Sequence, residues 1–257
     1  MLKNPESAKW YRLVREVAET VILTSLLFLL VHMAVQNFDI NGHSMEPTLH
    51  NNELILVNKW AYLFQPPERG NVIVFVAPPQ PSEDYIKRII GLPGDIISIQ
   101  GTKVTVDGKT LNESYINPLN QGNPYPSFTD MRIPANAYFV LGDNRAGSSD
   151  SRDWGCVPRQ NIIGQAILVY WPFNENNAGF LANESQVFAQ VQHGSLTTTK
   201  IVAHSTCPII SQLQLKPALF PHRTPPSLPA TSMDSLLLAL VPGLSIFRHR
   251  LRRLMGR

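Results

Sequence analysis

The sequence predicts a mainly β fold, an antiparallel sheet or barrel-like domain behind one N-terminal transmembrane helix. Three observations lead there: a charge-free run from Thr20 to Phe38, several short segments rich in β-branched and aromatic residues, and turn chemistry between those segments. As a helix rising about 1.5 Å per residue, residues 20–38 reach about 28 Å, close to the roughly 30 Å hydrocarbon thickness of a bilayer. Lys3, Lys9, Arg12 and Arg15 precede the run, and no Lys or Arg follows before Lys59. The positive-inside bias therefore puts residues 1–19 in the cytoplasm and everything after Phe38 outside. A cleaved secretory signal has the same basic start and apolar middle, but it needs small residues at alternate positions before the cut. Met33-Ala34-Val35-Gln36 offers no such pattern, so a retained anchor is expected.

The β segments are Glu53–Val57, Asn71–Val76, Asp95–Ile99, Lys103–Val106, Ala137–Leu141 and Ile162–Tyr170. Asp107-Gly108 reads as a hairpin turn because both residues tolerate positive φ, and Leu92-Pro93-Gly94-Asp95 reads as a tight loop. These place an extracytoplasmic domain over residues 39–180, closed or folded on itself to hide its edges. Residues 181–257 read as a C-terminal extension, largely disordered, punctuated by Pro208, Pro217, Pro221, Pro225, Pro226 and Pro229. Within it Ser235–Phe247 is apolar and precedes five arginines. At about 20 Å as a helix it is too short to span, so 235–257 reads at most as an interfacial segment.

The chain has 257 residues, 44% hydrophobic and 16% charged, which is an ordinary globular balance. Its net charge of +3 is misleading, because Arg248, Arg250, Arg252, Arg253 and Arg257 crowd the last ten residues and leave the body slightly acidic. No basic face recommends nucleic-acid binding. Two cysteines, Cys156 and Cys207, leave open a bridge in an oxidising compartment or two free thiols. Their positions say nothing of distance, and free thiols are the expectation, with Cys156 as a small core residue.

Three segments bear chemistry. Ser44-Met45-Glu46-Pro47-Thr48-Leu49 begins six residues after the apolar run, so the Ser44 hydroxyl lies within roughly 20 Å of the bilayer. In Tyr85-Ile86-Lys87-Arg88-Ile89-Ile90-Gly91, strand alternation puts Lys87 on one face with Tyr85 and Ile89, and Arg88 on the other with Ile86 and Ile90. A lysine becomes a base near neutral pH only if burial lowers its pKa of about 10.4 by roughly 3 units, about 4–5 kcal/mol. Without such burial a strand lysine simply reaches into solvent. The third segment, Gly142–Gly155, is a polar loop with no apolar side chain except Ala146 and Trp154, and on its own it reads as a surface turn held by Asp/Arg pairs.

Together these segments resemble bacterial-type signal peptidase I, a membrane-anchored Ser/Lys protease that removes signal peptides from exported proteins. The resemblance covers about residues 10–180. It rests on one anchor, Ser44-Met45-x-Pro47-Thr48-Leu49, Lys87-Arg88-x-x-Gly91-Leu92-Pro93-Gly94-Asp95, and Gly142-Asp143-Asn144-Arg145-x-x-Ser148-x-Asp150-Ser151-Arg152-x-Trp154-Gly155. It implies Ser44 as nucleophile and Lys87 as general base. It implies Ser148 as a hydroxyl orienting the Lys87 amine, Met45 packing beside the site, and Arg88, Asp143, Asp150 and Arg152 in supporting ion pairs. In some members a serine two positions before the nucleophile donates to the oxyanion. Here that position is Gly42, which leaves the second donor unassigned.

The implied substrate is a signal-peptide-bearing preprotein, with small residues at the first and third positions before the cut. The implied partner is the lipid bilayer, by default the plasma membrane, or the thylakoid in a photosynthetic source. Shared tethering of enzyme and substrate raises effective concentration. No cofactor or metal is expected: H-E-x-x-H is absent and His and Cys are scattered. A histidine base is weighed, but His43, adjacent to Ser44, points to the opposite face of an extended backbone, His50 comes close only if the chain doubles back, neither has an obvious orienting acid, and the S-x-x-K signature is absent. A catalytically inert peptide-binding module and an autocleaving Ser/Lys regulator are the remaining alternatives. The regulator is disfavoured because the N-terminus is an anchor rather than a DNA-binding segment.

Overall fold

The computed structural model describes residues 5–173, 177–182, 184–191 and 205–209. Helix α1 runs Pro5–Ala34, and its stretch Trp10–Ala34 is long and apolar enough to cross a membrane. Strand β1 (Val35–Asp39) follows with no intervening turn. The charge-free run read as a single span thus divides, helical through Ala34 and extended from Val35. The reason is tertiary: Val35, Gln36, Asn37 and Phe38 lie opposite Asn58, Val57, Leu56 and Ile55 of β2 (Leu54–Asn58). The Lys59 N–H donates to Ala34 O at 2.9 Å and closes the junction. An uncharged sequence does not reveal where such pairing begins.

The remaining strands are β3 (Val72–Val76), β4 (Asp84–Gly91), β5 (Ile96–Gln100), β6 (Lys103–Val106), β7 (Lys109–Thr110), β8 (Phe128–Arg132), β9 (Ala137–Leu141), β10 (Val157–Pro158), β11 (Ile162–Trp171), β12 (Gly179–Phe180) and β13 (Ser205–Thr206). One sheet has the order β1-β2-β11-β3-β4-β9-β10, with β12 paired to β11. The second has the order β13-β8-β5-β6-β7. All pairings are antiparallel except β13 with β8. The mainly β, antiparallel fold behind one apolar helix is the one read from the sequence.

Local sequence explains the elements. In β2, β5 and β6 alternate residues are buried, Ile55 and Val57, Ile97 and Ile99, Val104 and Val106, as a sheet with one covered face requires. Strand β9, Ala-Tyr-Phe-Val-Leu, is buried at every position because both of its faces are covered. Asp107 and Gly108 turn β6 into β7 with φ of 48° and 76°, the left-handed geometry expected of that pair. Gly94 (φ 91°) turns the loop after β4, and the Asp95 carboxylate caps it by accepting from Leu92 N–H and from a buried Arg69 fork.

The folded body does not stop at residue 180. A 3₁₀ turn at Glu184–Phe188 brings Phe188 and Val191 into the core cluster that includes Ile97 and Phe139. β13 sets Ser205 and Thr206 beside Met131 and Arg132 of β8. Cys207 is thereby carried to Cys156 and the two form a disulfide, with Cα atoms 5.9 Å apart across 51 residues of sequence. The expectation of two free thiols is corrected. Cys156 is a core residue, but a bonded one, and the long-range β13/β8 pairing that joins the two leaves no local trace in the sequence. Pro217 to Pro229 and the interfacial segment expected at 235–257 lie outside the described residues.

Gly164 in β11 faces the β2 backbone so closely that a Cβ there would stand 2.5 Å from Asn58 O and 2.9 Å from its carbonyl carbon. Backbone cannot retreat as a side-chain tip does. Gly164→Ala is expected to lower stability by roughly 1–3 kcal/mol, read as a shifted urea midpoint of the detergent-solubilised chain.

Candidate active site

Ser44 sits in the loop between β1 and β2. Met45 and Leu49, 1% and 0% exposed, anchor that loop in the core beside Ile55 and Val57. Their burial fixes the residues between and beside them. The loop is also held from across the fold: Asn144 donates its N–H to Ser44 O and its side-chain amide to His43 O, each at 3.0 Å. Gly42 N–H donates to Asn51 Oδ1 at 2.7 Å, and Thr48 Oγ1 donates to Asp143 Oδ2 at 2.6 Å.

Lys87 projects from β4 with 4% exposure, and its Nζ lies 2.8 Å from Ser44 Oγ and 2.9 Å from Ile86 O. The Tyr85 ring flanks it at 5.5 Å. Removal from water disfavours the ammonium form and lowers its pKa from 10.5 to about 8, against the opposing pull of the Asp150 and Asp143 carboxylates. The same 2.8 Å contact reads in either direction: the ammonium donates to the hydroxyl, and the neutral amine accepts from it.

Arg88, the next residue, faces the opposite side as strand alternation requires, and is 1% exposed. It grips Asp143 through Nε and Nη2 at 2.9 and 2.6 Å, donates to Gly70 O at 2.9 Å and lies 4.5 Å from the Tyr115 ring. Asp150 is wholly buried, caps the short helix α2 (Ser151–Trp154), accepts from Gly142 N–H at 3.0 Å and pairs with Arg152 through Nε and Nη2, each at 2.8 Å. The polar loop that reads as a surface turn is therefore largely interior.

Ser148 is buried beside Ser44, but its hydroxyl has no hydrogen-bond partner among the described residues and makes no bond to Lys87 here. The tightness of this corner shows at Gly142, where a Cβ would stand 2.2 Å from Ser148 Oγ and 2.5 Å from Ser44 O. Both nearby histidines do have framing acids, contrary to expectation: His43 Nδ1 lies 2.6 Å from Glu46 Oε1, and His50 Nδ1 lies 3.2 Å from Glu53 Oε1. Among the described side-chain contacts, however, it is Lys87 that meets Ser44 Oγ. Sequence reasoning missed the Asn144 clamp and the Glu113 partner of Arg145, bonded at 2.6 and 2.5 Å. Asn144 stood in plain view within the third motif, whereas Glu113, 32 residues from its partner, carried no signal.

Beside the Ser44/Lys87 contact lies a cleft of about 260 Å³, walled on one side by Phe38, Ile40 and Asn41 and on the other by Asp84, Tyr85 and Ile86. Both walls are open strand edges. β1 ends its sheet, and β4 pairs with β9 only from Arg88 onward. Among the described residues no three His, Cys, Asp or Glu side chains gather to hold a metal ion.

Because the Lys87 pKa falls from 10.5 to about 8, the folded state is disfavoured below pH 8, where the buried amine is charged, and relieved as pH rises toward 10.5. At about 1.4 kcal/mol per pH unit the penalty is roughly 3 kcal/mol. Lys87→Met is expected to be more stable than the parent by about that amount at pH 7, with the gain vanishing near pH 10.5. Denaturant titrations across that range check it.

The family model for signal peptidase, peptidase S26, matches residues 13–171. The chain is 44% identical to signal peptidase I of Leptolyngbya laminosa over 142 residues, covering 52% of this chain and 68% of that one. It is 40% identical to signal peptidase I of Bacillus caldolyticus over 169 residues, covering 62% and 89%. A crystal structure of a signal peptidase I from Enterococcus faecalis V583 is 30% identical, covering 39% of this chain and 97% of that one with a TM-score of 0.34. The family match spans more than half of the sequence and takes in all three polar segments, so the chain belongs to the signal peptidase family, peptidase S26, and is a peptide-bond hydrolase of the signal peptidase I type.

Proposed function

We propose that this enzyme cleaves signal peptides from exported preproteins with Ser44 as nucleophile and Lys87 as general base. The observation that carries this reading is the 2.8 Å contact between Lys87 Nζ and Ser44 Oγ in surroundings that bring the amine near neutrality at about pH 8. In acylation the neutral amine takes the hydroxyl proton as Oγ attacks the scissile carbonyl, then returns it to the departing amine. In deacylation it activates water. The Ser44 N–H is the proposed oxyanion donor. Gly42 has no side chain to offer, and its own N–H is engaged by Asn51. Arg88, Asp143, Asp150 and Arg152 act as supporting ion pairs, Met45 seats the loop, and Ser148 faces the same corner with a hydroxyl that has no partner among the described residues.

An extended peptide in the cleft would bond its main chain to a strand edge and turn alternate side chains inward, which supports small residues at the first and third positions before the cut. Membrane placement is supported by α1 and by exposed Trp60, Leu63 and Phe64, which follow Lys59 at the helix exit. The Cys156–Cys207 bond supports an oxidising compartment outside the cytoplasm for the catalytic domain, with the N-terminus inside. The plasma membrane, or the thylakoid of a photosynthetic source, fits that topology.

The purified full chain in detergent is expected to cut a signal-peptide-bearing precursor after a small residue, as read by N-terminal sequencing of the product. Ser44→Ala and Lys87→Ala should each lower kcat at least about 10³-fold, whereas Arg88→Ala should act mainly through folding. An uncut precursor would favour the inert binding module. Retained turnover in Lys87→Ala would rule out the lysine base. Because the amine must be neutral, kcat/KM should rise with pH through a midpoint near 8. Gly142→Ala, which forces Ser44 and Ser148 apart, should lower kcat about 10²-fold in a folded chain.

A further inference from the structure

The C-terminal segment beyond the family match reaches the surroundings of the Lys87 amine by two separate routes. On the first, Pro208 O accepts the Cys156 N–H at 2.8 Å, and the disulfide bonds the neighbouring Cys207 to Cys156. Here the segment presses on Gly155 so closely that a Cβ would stand 2.2 Å from Pro208 O. Gly155 caps the C-terminal end of α2, and Asp150 caps its N-terminal end. On the second route, a Cβ placed on Gly70 would meet the Phe188 ring at 3.3 Å. Gly70 O accepts from Arg88, which grips Asp143. The two carboxylates that act on the Lys87 amine, Asp150 and Asp143, are thus each backed by one end of the same segment.

We propose that the segment bearing Phe188 and Cys207 is a positioning element for the Lys87 base, and that formation of the Cys156–Cys207 bond completes the active site after the domain enters an oxidising compartment. This rests on the Ser44/Lys87 reading above. The step is thiol–disulfide exchange with a disulfide oxidant: both thiols lose their protons, two electrons pass to the oxidant, and its two sulfurs leave as thiols. With 0% and 1% of the two cysteines exposed, the finished bond is shielded from external thiols, so it acts as a one-way maturation step rather than a reversible switch.

The groups facing the amine are Ser44 Oγ and Ile86 O at bonding distance, the Tyr85 ring, and the Asp143 and Asp150 carboxylates, with Asp39 and Asp84 farther out along the cleft. Exclusion of water is the largest of the influences on it. A loosened backing admits water and moves the amine back toward its ordinary pKa, which outweighs any retreat of the two carboxylates.

The test compares the full chain in detergent, folded and purified with dithiothreitol, with the same chain after oxidation by oxidised glutathione and thiol counting. The reduced form should show its kcat–pH midpoint about one unit higher, with KM unchanged. At pH 8 its neutral fraction then drops from about one half to about one in eleven, a loss of about fivefold in kcat. Cys207→Ser should behave as the reduced form and ignore the oxidant, and Phe188→Ala with the bond intact should move the midpoint in the same direction. An unmoved midpoint overturns the proposal, with or without a fall in kcat. So does a reduced chain that circular dichroism finds unfolded, since the bond would then hold the fold rather than the base. If the oxidised chain cuts precursor while the midpoint stays fixed, this inference alone fails. If the oxidised chain does not cut at all, the Ser44/Lys87 reading fails with it.

Discussion

A lysine amine kept out of water is the constraint around which this protein is arranged. Lys87 is nearly inaccessible, and neither charge state is comfortable there: the ammonium lacks solvent, and the neutral amine is drawn toward protonation by Asp143 and Asp150. The balance depends on where those carboxylates are pinned. Arg88 and Arg152 take up most of their bonding capacity, so the two acids bear on the amine as partly neutralised pairs at a distance rather than as direct partners. Two adjacent residues of one strand therefore divide the work. Lys87 faces the cleft, and Arg88 on the other face restrains the acid that would otherwise keep Lys87 charged.

Much of this was legible in the sequence because it is local. Alternation along residues 85–90 separates Lys87 from Arg88, the Asp107-Gly108 and Leu92-Pro93-Gly94 turns announce themselves, and the β segments from 53 to 170 recur within a residue or two as strands. What was not legible is what arises between distant parts of the chain. β8, Phe-Thr-Asp-Met-Arg, has a weak strand signal, yet it forms because β5 and β13 flank it. The disulfide follows from that pairing, and so does the tail's attachment to the body. Val35–Phe38 reads equally well as the end of an apolar helix, and only β2, seventeen or more residues on, decides otherwise.

The site divides the same way. Ser44, Lys87 and the Asp/Arg pairs could be named from three motifs, but not their contacts: Ser148 was expected against the amine, yet its hydroxyl has no hydrogen-bond partner among the described residues, and both flanking histidines have glutamates three residues on. A pairing at i, i+3 in a tight loop depends on torsions that residue names do not give. Among the described side chains it is the Lys87 amine, rather than an imidazole, that comes within hydrogen-bond distance of Ser44 Oγ, which is what supports the proposed lysine base.

The direct passage from α1 into β1 has a consequence for how this molecule works at a surface. With no turn residue between Ala34 and Val35, and with Lys59 bonded across the joint, there is no swivel between the apolar rod and the sheet that frames the cleft. The depth at which the rod settles then sets the altitude of the cleft, much as a fixed shank sets the height of a blade. A chain threading past is measured against that height before any of its side chains are tested.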